Sequence, residues 1–225
     1  NKLDRVGADF FRVIDMIAEK FGADPIPLQI PLGQEDGFYG VIDLVTMQAI
    51  AWDEEDLGAT YRVISIPKEY SEKAASYREK LFDRISLFDD ELMELYLDGK
   101  EIEPSRIYAA LRAGTMALKC VPVLCGAALR NKGIQPLLDA IIRYLPSPLD
   151  VPPVTGENPR TGELEERKPE DGEDLAALAF KIVMEEGRKL TYIRIYSGSI
   201  KVGGDVYNAN LGKKEKISRI YKMHA

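Results

Sequence analysis

A change of hydrophobic period divides this chain. Residues 146–174 hold six prolines together with glycines and a surplus of acidic side chains. Such a stretch has little to bury. Upstream, apolar residues recur mainly three and four apart; downstream they alternate. The first spacing lines one face of a helix and the second one face of a strand, so the two parts need different cores. We therefore expect an α/β part over residues 1–148, a linker over 149–174 and an all-β part over 175–225. With 225 residues, 45% apolar and 30% charged, the chain has the balance of a globular protein, not of a disordered one. No apolar run reaches the ~18 residues of a membrane span, and two cysteines exclude a disulfide scaffold. The chain opens on Asn1, not Met, and we expect an internal piece of a longer protein.

In the first part, Val6, Phe10, Ile14, Ile17 and Phe21 share a helical face and Gly22 stands where a C-cap belongs, which predicts a helix over 6–22. Short runs at 26–30, 39–44, 49–52 and 60–66 predict a small, mainly antiparallel sheet, with Asp36-Gly37 as a turn between the first two. Three helices should follow. Ser71 caps the first, Asp89 or Asp90 the second, and Pro104 opens the third, whose Ile107, Leu111 and Met116 point inward. The run 120–125 (CVPVLC) is too short for a helix and predicts a buried parallel strand. Beyond Gly133, Ile134, Leu137, Leu138, Ile141, Ile142 and Leu145 line one side of a helix. Strand, loop and helix make half of a nucleotide-binding α/β unit. In the last part, runs at 177–183, 190–196, 205–209 and 214–221 predict the front of a β-barrel.

The net charge of −7 hides a split: −8 over residues 1–156, −5 over 157–174 and +6 over 175–225. Lys213, Lys214, Lys216 and Arg219, near the last two strands, are the candidates for contact with RNA phosphate. The plainer reading is that lysines keep a β edge soluble.

Two short patterns carry chemistry. In Asn1-Lys2-x-Asp4, an ionised carboxylate can accept both N1–H and the N2 amino group of guanine, a donor pair that adenine lacks. Asn1 can bond the other edge of the ring and tie neighbouring loops together. Lys2 can lay its methylene stem along the base face. The plainer reading is a solvated turn before a helix. The second pattern, Gly126-Ala127-Ala128-Leu129, follows the buried strand, where α/β sheets bind ligands, and its small residues let backbone N–H groups approach a base oxygen.

In order and context the two patterns resemble the guanine-recognition motifs of translational GTPases, specifically the bacterial elongation factor G family. The phrases Asn131-Lys132-Gly133-Ile134-Gln135, Tyr144-Leu145-Pro146-Ser147-Pro148, Ala179-Phe180-Lys181-Ile182 and Ile195-Tyr196-Ser197-Gly198 extend the resemblance along the chain. The resemblance implies the end of a P-loop GTPase domain with an α+β subdomain inserted at about 23–118, then the start of a translation-factor β-barrel. It implies guanine contacts at Asn1, Lys2, Asp4, Ala127, Ala128 and Leu129, and GTP or GDP with magnesium in the full-length protein. It further implies cytoplasmic work on the ribosome, coupling GTP hydrolysis to translocation of tRNA and mRNA. The barrel would touch small-subunit RNA and the insert the large-subunit stalk protein, with no role for membrane or DNA. Rival readings are a ribosome-recycling, release-factor or ribosomal-protection GTPase, or a non-catalytic ribosome-interaction module.

Some features depart from that pattern. Ala127 stands where the family usually has Ser. No Gly-x-x-x-x-Gly-Lys-Ser/Thr phosphate loop and no Asp-x-x-Gly-His segment occurs in these residues. We therefore expect no catalytic residue, no metal site and no required cofactor in the chain itself. Cys120 and Cys125 read as buried thiols, His224 as a surface or structural residue, and the acidic run 53–56 as a solvated turn.

Overall fold

The computed structural model describes residues 1–53, 58–185 and 187–222; most of the acidic run and His224 lie outside them. The chain divides into two compact units, Asn1–Leu145 and Pro146–Ala225.

The first unit begins with helix α1 (Phe10–Phe21). Asp9 caps it by accepting the Arg12 N–H at 3.0 Å, and Gly22, at φ 60°, closes it onto Ala18 O. The cap starts the helix later than position 6, so Val6 stays outside it and exposed. Strands β1 (Pro25–Pro27) and β2 (Gln29–Leu32) follow, where one continuous run was expected. Leu28 divides them: its N–H donates to Val123 O and its carbonyl accepts from Leu44 N, both at 2.9 Å. One buried residue thus hands the chain from one sheet to another. Strands β2, β3 (Gly40–Asp43), β4 (Gln48–Trp52) and β5 (Tyr61–Ile64) form an antiparallel meander, with Ile30 opposite Ile42 and Ile42 opposite Ala49.

Helices α2 (Ser71–Ile85), α3 (Asp90–Leu97) and α4 (Pro104–Met116) come next. Ser71 is the first helical residue and not the cap; Tyr70 holds that position without a capping bond from its side chain. Asp89 does cap α3, accepting from Leu92 N at 3.0 Å. Ala74, Leu81 and Ile85 of α2 and Ile107 and Leu111 of α4 join Ile30, Leu32, Ile42 and Leu44 in one core. Each of these leucine and isoleucine side chains contributes roughly 1.5–3 kcal/mol on burial.

Strand β6 (Val121–Val123) returns parallel to β1, pairing Pro25 with Val121 and Pro27 with Val123. Helix α5 (Ile134–Tyr144) ends the unit. The strand expected to be buried is only partly so, and the apolar side of the helix is largely open. Of the run 120–125 only Cys120 and Cys125 are buried, and of α5 only Ala140 and Tyr144, while Ile142 is 78% exposed. The reason is that β6 has β1 as its one strand neighbour among the described residues.

The second unit holds three antiparallel pairs among its described residues: β7 (Val154–Glu157) with β8 (Leu164–Arg167), β9 (Ala176–Glu185) with β10 (Arg188–Ser197), and β11 (Asp205–Asn208) with β12 (Lys213–Lys216). The first pair occupies the stretch expected to be a linker. Its turn chemistry explains it: Asn158 accepts from Arg160 N and Thr161 N, and Gly162 adopts φ 74°. It still buries little, since every residue of β7 is exposed. The last ladder ends at Lys216, short of the expected 221, apart from one further exchange between Ile217 and Gly203-Gly204.

Candidate guanine-binding site

Two loops of the first unit meet at Asn1. In the first, Lys2 takes φ 66°, a left-handed conformation rare outside glycine. The bend sends Leu3 into the core, where its N–H donates to Gly126 O at 3.2 Å, and Arg5 N closes the turn onto Lys2 O at 3.1 Å.

The second loop runs from Gly126 to Gly133. Ala127 and Lys132 exchange backbone bonds of 2.8 and 3.2 Å, and a single 3-10 turn, Ala128–Arg130, lies between them. Both flanking glycines are required by close approach. A β-carbon on Gly126 would stand 2.5 Å from Lys132 O, and one on Gly133, at φ 87°, 2.6 Å from Cys125 O. Lys132 is buried, and its Nζ donates to Phe38 O at 2.9 Å, fixing the loop to the insert.

The loops are joined by side chains. Asn1 Oδ1 accepts from Ala128 N at 3.0 Å and from Lys2 N at 2.8 Å, which leaves its amide NH2 for an acceptor on a ligand. The Asp4 carboxylate, 14% exposed, lies with Oδ2 3.4 Å from Arg130 Nε. Glu35 Oε1 accepts from Gly7 N at 2.7 Å and adds a tie to the insert.

The structure therefore brings Asn1, Lys2, Asp4 and Ala128 together. Ala127 sits differently from the expectation. Its methyl is fully buried and its N–H is engaged by Lys132, so it shapes the loop without presenting a group to a ligand. The side chain of Leu129 is 93% exposed. Arg130 and Lys132 are the participants that the sequence reading passed over. A lysine has no sequence signature for burial, and Arg130 lies just beyond the Gly126-Ala127-Ala128-Leu129 pattern.

Lys213, Lys214 and Lys216 are all exposed on β12. The register places Lys214 and Lys216 opposite Tyr207 and Asp205, on one face. Lys213 falls on the other face, with its Nζ 3.9 Å from Glu215. Arg219 lies beyond the ladder and hydrogen-bonds Tyr221, lowering that phenol's pKa. Cys120 and Cys125 are free and buried, and burial pushes the Cys125 thiol up to about 12, which keeps it protonated and inert.

At the meeting of the two loops Asn1 presents an amide donor and Asp4 a carboxylate acceptor, while the Ala128 N–H is taken by Asn1 Oδ1. Among the described residues no cluster of His, Cys, Asp or Glu is arranged for a metal ion.

Residues 1–147 match the family described as the elongation factor Tu GTP binding domain. The chain belongs to this GTP-binding family. It is 51% identical over 225 residues to elongation factor G 2 of Syntrophus aciditrophicus and 53% identical over 226 residues to elongation factor G of Aquifex pyrophilus. All of this chain is covered, but only 33% and 32% of those proteins, so it spans about a third of their length. A crystal structure of a protein from Thermus thermophilus shares the fold, with a TM-score of 0.68 and 23% identity over 92% of this chain and 28% of that one. In this elongation-factor GTP-binding domain a cleft of about 570 Å³ lies elsewhere, between Met47, Val63, Ile66 and Ser71. It has no charged group to recognise a nucleotide, so the meeting of the two loops is the better candidate.

Proposed function

We propose that this chain supplies the guanine-reading part of a translation elongation GTPase that couples GTP hydrolysis to movement of tRNA and mRNA on the ribosome. The observation that carries the reading is the bond from Ala128 N to Asn1 Oδ1, which spans 127 residues of sequence and sets Asp4 beside the 126–133 loop. On this reading Asp4 accepts from N1–H and the N2 amino group, Asn1 donates to the opposite edge, and Lys2 covers the ring face. A base carbonyl would take over the Ala128 N–H or the adjacent Leu129 N–H. The phosphates and magnesium would be held by residues outside this chain, which on its own should neither hydrolyse GTP nor bind it tightly. The partner is the ribosome in the cytoplasm. The basic β unit, with Lys213, Lys214, Lys216 and Arg219, would face small-subunit RNA, and the acidic insert would face the large-subunit stalk protein.

The test is Asp4→Asn in a protein that carries this chain together with a phosphate loop. Xanthine replaces the N2 donor with a carbonyl, and an amide can donate where a carboxylate only accepts. Preference should move from GDP toward XDP by one to two decades, the cost of about 1–3 kcal/mol for an unmet buried donor. Selectivity identical to that of the unaltered protein would reject the assignment.

A further inference from the structure

The neighbours of Asp4 carry one more inference. Among the described residues Arg130 is its one ion-pair partner. The plane of a carboxylate turns easily about χ2 unless an oxygen is held. Reading two donors of guanine at once requires that plane to coincide with the edge of the base. On the facing loop Ala127 has no side-chain donor, and its N–H is taken by Lys132 O.

Arg130 is itself well placed to do the holding. It ends the 3-10 turn, and its N–H donates to Ala127 O at 3.0 Å. Its carbonyl packs against Gly58 so closely that a β-carbon there would stand 2.4 Å away. The guanidinium also reaches the insert, with Nη2 3.7 Å from Asp36 Oδ1 on the turn Glu35–Gly37. The backbone is thus anchored on one side and the side chain on two carboxylates.

We propose that Arg130 is a positioning residue for base selectivity: its Nε holds one oxygen of Asp4 and so sets the plane in which the carboxylate meets guanine. Oδ2 keeps a second lone pair for the base, so the same oxygen serves both contacts. The inference rests on Asp4 being the base reader. It adds that the reading depends on a residue that does not touch the base.

The experiment measures GDP and IDP affinity of the protein carrying this chain with its phosphate loop. Hypoxanthine lacks the N2 amino group, so IDP needs only one of the two carboxylate contacts. Arg130→Ala should weaken GDP about tenfold, the worth of one charge-assisted contact, and IDP by less than about threefold, narrowing the ratio between them. Arg130→Lys should recover part of the ratio, since it keeps the charge and loses the planar fork. A purely structural role would weaken both nucleotides alike, and an unchanged GDP-to-IDP ratio in Arg130→Ala overturns the proposal. If that variant does not fold, Arg130→Gln, which keeps most of the stem, makes the same comparison. Asp4→Asn runs in parallel: if it alters neither GDP, IDP nor XDP binding, the base reading fails and the positioning role falls with it. If it alters them while Arg130→Ala leaves the ratio intact, only the positioning role is lost.

Discussion

Gly133 sits at φ 87° with space for no side chain, whereas Gly22 sits at φ 60° with nothing within 4 Å of its missing β-carbon. Both positions charge an alanine for left-handed backbone, about 1–2 kcal/mol. Only Gly133 adds a collision, with the carbonyl of Cys125. Gly133→Ala should therefore lower the urea midpoint of the first unit clearly more than Gly22→Ala. Trp52, the single tryptophan and a buried residue of β4, reports on that unit alone. Equal shifts would mean that the 126–133 loop yields easily, which its backbone bonds argue against. The Asn-Lys-x-Asp spacing and the small-residue loop were legible in the sequence because both are local. The burial of Lys132 was not, because its acceptor, Phe38 O, is 94 residues away.

At the scale of elements, Asp89 does two things at once. It caps α3 through Leu92 N and accepts from Arg106 Nη2 at 2.5 Å. The Arg106 bond chiefly holds its carboxyl below the usual 3.8. A folded pKa below the unfolded one stabilises above the unfolded value and ceases to do so as pH falls through the folded value. Asp89→Asn keeps a capping oxygen and should remove this part of the acid sensitivity below about pH 4. Asp89→Ala should in addition cost about 0.5–2 kcal/mol at neutral pH for the lost cap. Thermal melts of both variants from pH 2.5 to 7 separate the contributions. On β12, the register makes a different forecast from the sequence. Lys214 and Lys216 share a face and Lys213 does not. Changing the first two to Gln should flatten the salt dependence of ribosome binding by about two units of slope, and changing Lys213 by less, if one face meets phosphate. Equal effects of all three, or none, would favour the solubility reading.

Across the first unit, burial raises several acidic side chains together. The Cys125 thiol moves from 9.0 to about 12, and the Tyr144 phenol also rises above its usual 10.0. A folded pKa above the unfolded one means that the unfolded chain loses its proton first. Stability is then complete below about pH 9 and declines as pH climbs toward 12. Each unit of the gap is worth about 1.4 kcal/mol. Urea unfolding followed at Trp52 should show a falling midpoint between pH 9 and 11. In Cys125→Ala the fall should be shallower, even though that variant starts lower for want of packing. A midpoint level to pH 11 would contradict the burial of both groups.

What the residues settled by themselves was local: the change of period at the proline-rich stretch, the cap at Gly22, Pro104 opening α4, and the two loop patterns that resemble guanine recognition. Period, caps and turn chemistry act over a few residues, so they can be read in order along the chain. What only the tertiary structure decided was which distant groups meet. Leu28 passes the backbone between two sheets because Val123 and Leu44 present partners on either side of it. The apolar stripe of α5 stays largely exposed although α4 packs against the helix, because the β1–β6 pair is only two strands wide among the described residues. Arg130 reaches Asp4 across 126 positions because the loops fold against one another. These outcomes depend on the three-dimensional neighbours of each group, and no spacing within the sequence encodes them.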